Sequence, residues 1–198
     1  MYRFIETIKL LDGQFAHLDY HQHRMDQTIR KFFGQQDAIH LKEYLARQSF
    51  LRQGLFKCRI VYDKTILSVE FLPYMIKPVR SLKVVHANAI EYAYKFEARN
   101  QLLEMYNQRG QHDEIVIVKN NLITDASYAN LVFFDGTNWI TPASCLLDGT
   151  MRQILIDQRK IIAAQISLSD ITNFEKVKLI NSMLGFEGSE IPVSQIEI

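Results

Sequence analysis

Pro73 ahead of "IKPVRS" (76–81) and Pro78 within it mark a stretch through which neither a strand period nor a helix period can run. Proline lacks the backbone N–H that both structures use and fixes φ near about −65°, so the stretch reads as a linker. It divides the 198 residues into a lobe over 1–75 and a larger lobe over 82–198, each with enough chain to enclose a core.

The first lobe opens with "YRFIETIKLLDGQFAHL", two strand patterns around Asp12-Gly13, a strong hairpin signal. In "HQHRMDQTIRKFFG" the residues Met25, Ile29, Phe32 and Phe33 recur at helical spacing, and Gly34 supplies the stop. Asp37 is placed to cap a further helix containing Leu41, Tyr44 and Leu45. "GLFKCRIVYDKTILSVEFLPY" then alternates as two strands joined through Asp63-Lys64. The order strand, strand, helix, helix, strand, strand is an α+β pattern.

In the second lobe "LKVVHA" reads as a strand, and "ARNQLLEMYNQRG" as a helix with Ala98, Leu102, Met105 and Tyr106 on one face. Short strands follow in "EIVIVKN", "NLIT", "NLVFFDG" and "NWITP". Helical patterns in "MRQILIDQRKII" and "DITNFEKV" precede the last strands, "KLINSM" and "EIPVSQIEI". Strands and helices do not alternate regularly, which argues against a doubly wound sheet.

The net charge of +1, without a basic run, gives no drive toward nucleic acid or an anionic membrane. No stretch approaches the ~20 apolar residues of a membrane span. The N-terminus lacks the apolar core of a signal peptide. Cys58 and Cys145 stand far apart without metal-type spacing, so a reducing, cytoplasmic setting is expected. His17, His21 and His23 fit a hairpin end and helix start better than a metal site, and no metal is expected.

Several polar residues stand out against this background. Lys95 lies between Tyr94 and Phe96 in "IEYAYKFEARNQ", where a buried charge is costly. Asp125 follows a strand in "LITDASYANLVFF", and Asn130 opens the next. Gly149-Thr150 in "TPASCLLDGTMRQ" precedes a helix, where backbone N–H groups and the dipole favour an anion. Asn181-Ser182 in "LINSMLG" offers a second such turn. Arg59, in a half-buried strand, calls for an anion or a carboxylate partner such as Glu70. Alone, each has an ordinary reading: a snorkelling lysine, a capped turn, a helix start, a surface pair. Together, a lysine, a carboxylate, two anion-binding turns and an arginine are the groups that pyridoxal phosphate requires.

The order of these segments resembles the class IV aminotransferase family, and the resemblance covers nearly the whole chain. It is carried by "FIETIKLLDGQFAHLDYHQHRM", "YKFEAR", "HDEIVIVKNNLITDASYANLVFFDGTNWITP", "LLDGTMRQILI" and "LINSMLGFEGSEIPVSQI". The family includes branched-chain and D-amino-acid aminotransferases and 4-amino-4-deoxychorismate lyase. The resemblance implies the two-lobed fold of the D-amino-acid aminotransferase type, pyridoxal 5'-phosphate as cofactor and a homodimer. It makes Lys95 the Schiff-base lysine and general acid/base. Arg59, the backbone at Gly149, Thr150 and Met151, and Asn181 with Ser182 would hold the phosphate. Asp125 would face the pyridine nitrogen, Asn130 would order the adjacent turn, and His21 and Arg24 would be structural.

This chain departs from the family in three places. Asp125 stands where glutamate is usual, so its carboxylate is one methylene short and would reach the ring nitrogen by a backbone shift or through a water, or protonate it less fully. Met151 replaces a common threonine, and the strands that usually precede the opening motif are missing. The lyase reaction needs one amine substrate and no second-substrate pocket, which suits a short chain. A lyase is therefore the expectation, with a branched-chain or D-amino-acid aminotransferase, or a non-catalytic member, as alternatives.

Overall fold

In the computed structural model, which describes residues 2–34 and 39–198, the alternating run near the N-terminus forms β1 (Phe4–Leu11). Asp12 and Gly13 both take positive φ, 47° and 81°, as a two-residue hairpin turn requires, and β2 (Gln14–Phe15) returns beside β1. α1 (Leu18–Phe33) begins before the histidine-rich stretch, because His17 in the left-handed region turns the chain out of the strand. β3 (Leu55–Tyr62) and β4 (Ile66–Pro73) complete an antiparallel sheet in the order β2-β1-β3-β4. α2 (Leu41–Ala46) contributes Leu41 and Leu45 to the same core. Asp37, the expected helix cap, lies outside the described residues.

The even-numbered side chains of β1 point into this core. Phe4, Glu6, Ile8 and Leu10 are all 0% exposed. Around them pack Met25 and Ile29 of α1 and Cys58, Ile60 and Tyr62 of β3. Glu6 is thus a carboxylate in an apolar row, and its partners come from α1. Arg24 donates through Nε to Oε1 at 2.9 Å and through Nη2 to Oε2 at 2.6 Å. His21 Nδ1 lies 2.6 Å from Oε2. An ionised carboxylate only accepts, so this ring nitrogen carries the proton.

The chain divides into two units: Met1–Ile76 with Tyr94–Ala98, and Lys77–Ala93 with Arg99–Ile198. The segment 94–98, assigned from sequence to the second lobe, packs with the first. Its backbone completes the edge of β1: Ile5 N–H donates to Lys95 O and Glu97 N–H to Arg3 O, both at 2.9 Å.

The second unit holds two sheets. β5 (Leu82–His86), β6 (Glu114–Lys119), β7 (Leu122–Ile123) and β13 (Ile196–Glu197) are ordered β13-β5-β6-β7. β8 (Asn130–Phe134), β9 (Trp139–Pro142), β10 (Ile162–Ala164), β11 (Lys176–Ile180) and β12 (Ile191–Pro192) are ordered β10-β9-β8-β11-β12. Val84, Val116, Val118, Leu131, Phe133, Val177 and Leu179 share their core. The fold is α+β with strand-rich sheets, as the pattern implied.

Two helices are shorter than the periodicity suggested. α3 (Asn100–Tyr106) buries Leu102 and Met105, but Ala98 lies outside it and is exposed. α4 (Thr150–Asp157) stops because Arg159 takes φ 55°. Lys160 N–H then reaches Leu155 O and Arg159 N–H reaches Ile156 O, both at 2.8 Å, which closes the helix. Ile162 accordingly starts β10 instead of ending a helix.

The charge cluster on β1 has a consequence for stability. Burial alone would push the Glu6 carboxyl up, but the Arg24 guanidinium and the His21 hydrogen bond hold it down to about 2, from 4.5. A depressed carboxyl stabilises the fold above its unfolded value and loses that contribution as pH falls toward the folded one, about 3 kcal/mol here. Burial, against the pull of Glu6, also keeps His21 below its usual 6.5 and neutral, so acid costs further stability as the unfolded imidazole protonates. Glu6→Gln, which leaves Arg24 without its counter-charge, is expected to lower the unfolding free energy at pH 7 by about 3–5 kcal/mol. In urea titrations the gap to the wild type should narrow between pH 4.5 and 2.

Candidate active site

Lys95 lies in the first unit, half-buried in a segment without regular structure. Its neighbours enter an aromatic cluster: Tyr94 meets Phe32 at 4.8 Å and Phe96 meets Phe4 at 5.0 Å between ring centroids. The backbone bonds to Ile5 and Arg3 fix the carbonyl of the lysine and the N–H of Glu97 two residues on. The amine therefore projects from a pinned main chain, and its charge disfavours a proton on His21. Arg59 lies in the same unit on β3. It donates to Glu70 at 3.2 Å, the pairing its strand position suggested, and to Glu97 at 3.0 Å. Glu97 also lies 3.9 Å from Arg3, so these ion pairs reinforce the pinning of the lysine segment.

The remaining candidates belong to the second unit. Asp125 follows β7, with its main chain fixed by Ile117 N–H donating to Asp125 O at 2.8 Å. Its carboxylate is 5% exposed and accepts three hydrogen bonds. Asn130 Nδ2 reaches Oδ1 at 2.7 Å, while the backbone N–H groups of Leu146 and Leu147 reach Oδ2 at 2.8 and 3.0 Å. Burial pushes this carboxyl up to about 6, against the lowering effects of Leu147 N–H, Asn130, Leu146 N–H and the Arg152 charge. Asn130 Nδ2 also donates to Leu147 O at 2.8 Å. Two side chains thus bind both polar groups of one peptide stretch.

That stretch leads into α4. Gly149 is its N-cap, with φ −72° and ψ 141°, and no side chain caps the helix. Any residue can adopt this backbone; glycine is required for space, since a Cβ there would stand 2.0 Å from Asn130 Oδ1. Thr150 and Met151, the first helical residues, are buried. Arg152 holds Asp148 at 2.9 Å and Pro142 O at 3.2 Å, with its buried Nε unpartnered.

Asn181 uses its side chain largely on its own turn. Oδ1 accepts from Met183 N–H and Leu184 N–H, both at 2.9 Å, and Nδ2 donates to Tyr128 O at 3.3 Å. Ser182 beside it is buried. Asp125, Asn130 and Gly149 are therefore interlocked, and Asn181 joins the same turn through Tyr128. Lys95 and Arg59 are organised separately, in the other unit.

Three groups in this framework were not singled out from sequence. Glu6 anchors His21 and Arg24. Glu114, 1% exposed, accepts from Ser127 N–H at 3.1 Å, and Arg99 Nη2 donates to Ser127 O at 2.6 Å. The turn after Asp125 is thereby held from both sides. A charged residue at an inward strand position was the available signal for Glu6 and Glu114. Burial pushes the Cys58 thiol up to about 12 and the Cys145 thiol up to about 11, which removes both as nucleophiles near neutral pH. Among the described residues no group of three or more His, Cys, Asp or Glu side chains could hold a metal ion, and no helix is long and apolar enough to cross a membrane.

Known proteins are similar to this chain in sequence and fold. An uncharacterized protein of Haemophilus influenzae strain Rd is 34% identical over 187 residues, 93% of this chain and 100% of its own length. The crystal structure of a candidate 4-amino-4-deoxychorismate lyase from Haemophilus somnus 129pt superposes with a TM-score of 0.89 at 34% identity, covering 94% of this chain and 98% of that one. A hypothetical aminotransferase from Mycobacterium tuberculosis, solved with pyridoxal phosphate bound, has the same fold: TM-score 0.77 at 14% identity, over 96% of this chain and 80% of that one. Residues 3–196 match the family described as amino-transferase class IV, and with 34% identity to a full-length relative the chain belongs to that family of pyridoxal-phosphate-dependent enzymes.

Proposed function

We propose that this chain binds pyridoxal 5'-phosphate and is a 4-amino-4-deoxychorismate lyase, releasing pyruvate and 4-aminobenzoate. The observation that carries this reading is the near end-to-end match, at 34% identity, to the Haemophilus somnus candidate lyase. The residues present also fit the cofactor. A primary amine at Lys95 suits its aldehyde, and the uncapped N-terminus of α4 suits a phosphate. A carboxylate offers about four acceptor positions, so Asp125 retains capacity for a ring N–H beside its three protein bonds.

Bound pyridoxal phosphate supplies an aldehyde that condenses with amines and a ring that takes up electrons when a bond beside the substrate nitrogen breaks. With the cofactor bound, Lys95 Nζ would hold it and, once freed by the substrate amine, would take the proton from the ring carbon that bears that amine. Loss of the enolpyruvyl group through its ring C–O bond would leave an aromatic ring, and Lys95 would return the proton to that leaving group to give pyruvate. The Thr150 and Met151 N–H groups would hold the phosphate, the role of support falling to Arg59, Asn181 and Ser182, and Asn130 keeps the turn after Asp125 in shape. The enzyme is taken to work as a homodimer in the cytoplasm. Size-exclusion chromatography at twice 23.1 kDa would support the dimer.

Protein supplied with cofactor and 4-amino-4-deoxychorismate is expected to release pyruvate and 4-aminobenzoate in equal amounts, and Lys95→Ala to release neither. If the wild type instead passes amino groups from amino acids to keto acids without forming 4-aminobenzoate, it is an aminotransferase. Borohydride treatment of loaded protein should add the cofactor mass to the peptide containing Lys95. The same mass on another lysine would reject the assignment.

A further inference from the structure

The side chains around Asp125 are organised toward the loop ahead of α4. Asp125 binds Leu146 and Leu147 through Oδ2, and Asn130 ties Asp125 Oδ1 to Leu147 O. Ser144 Oγ, at the start of the loop, donates to Ile123 O at 2.6 Å. At the end of the loop, Asn130 Oδ1 fills the space beside Gly149. Residues 144–149 are thus fixed along their length by Ile123, Asp125 and Asn130, and α4 starts where they stop. The charged and titratable groups of this loop and helix that interact with Asp125 are Cys145 and Arg152.

We infer that Asp125 is a positioning residue for the phosphate of the cofactor: its carboxylate holds the 144–149 loop so that the uncapped N–H groups of Thr150 and Met151 converge on one anion. This rests on the reading of the chain as a pyridoxal-phosphate enzyme. The physical basis is that hydrogen bonds to a buried ionised group are among the strongest available, and two of them fall on successive loop N–H groups. The shorter side chain, which weakens the case for direct contact with the ring nitrogen, brings the carboxylate onto the loop. A helix N-terminus binds an anion well only when its first N–H groups are held in convergence before the ligand arrives.

The test compares pyridoxine 5'-phosphate with pyridoxine, which share the ring, differ in the phosphate and lack the aldehyde that condenses with Lys95. Their dissociation constants are measured by calorimetry on the wild type and on variants checked for folding by circular dichroism. Asp125→Ala should lower the preference for the phosphorylated ligand by about tenfold or more, over and above any loss of ring contact that both ligands share, because aligned N–H donors are lost. Asp125→Asn keeps an acceptor for Leu146 and Leu147 but turns a donor toward Asn130, and should fall between. Gly149→Ala drives a Cβ into Asn130 and should lose the same preference, so it decides the question if Asp125→Ala does not fold. An unchanged preference, or a parallel loss of both ligands as expected of a ring contact alone, would overturn the inference. A wild type that binds neither ligand would remove the cofactor reading and this inference with it.

Discussion

The open edge of β1 sets the frame for the lysine. A strand embedded in a core cannot leave its N–H and C=O groups unpaired, and β2 covers only the far end of that edge. At Arg3 and Ile5 the vacancy is met by Lys95 and Glu97, from a segment that has left the second unit to do so. Once Lys95 O is bound to Ile5, the lysine cannot slide along the strand. Phe96 and Tyr94, packed among Phe4 and Phe32, limit its rotation about the strand axis. The aromatic residues around the lysine have a mechanical role: they hold the main chain from which a flexible amine extends.

Two carboxylates illustrate how the partner, more than burial, decides protonation. Glu6 and Asp125 are both withdrawn from water, at 0% and 5% exposure. Glu6 touches a guanidinium and stays ionised far into acid, near 2. Asp125 is surrounded by neutral donors, with Arg152 acting only through its charge, and sits near 6. Hydrogen bonds from amides offset only part of the desolvation that a full opposite charge can overcome. The first carboxylate locks a helix to a sheet. The second lies within reach of titration near neutral pH.

Much of this organisation was legible in the sequence, where local chemistry decides the outcome. Asp12-Gly13 left few alternatives to a hairpin, and the spacing of Met25, Ile29, Phe32 and Phe33 described α1 well. Asp125, Asn130 and Gly149 were recognisable through their order along the chain, although their mutual bonds were not. What escaped depended on contacts distant in sequence. Nothing local shows that Glu6 finds Arg24, or that residues 94–98 pair with β1. The apolar spacing that suggested a longer α4 continues through Ile162, while a left-handed Arg159 breaks the backbone before it.

Gly149 carries a constraint that backbone geometry alone would not disclose. Its dihedral angles are open to every amino acid, yet its side-chain volume is already occupied by the amide of Asn130. Positions 130 and 149 therefore form a steric pair, although the rest of β8 and all of β9 lie between them along the chain. A side chain could be admitted at 149 only by shrinking residue 130, and that change would release both Asp125 and Leu147. Neither single step preserves the loop, so a lineage that keeps the loop should vary at both positions together or at neither.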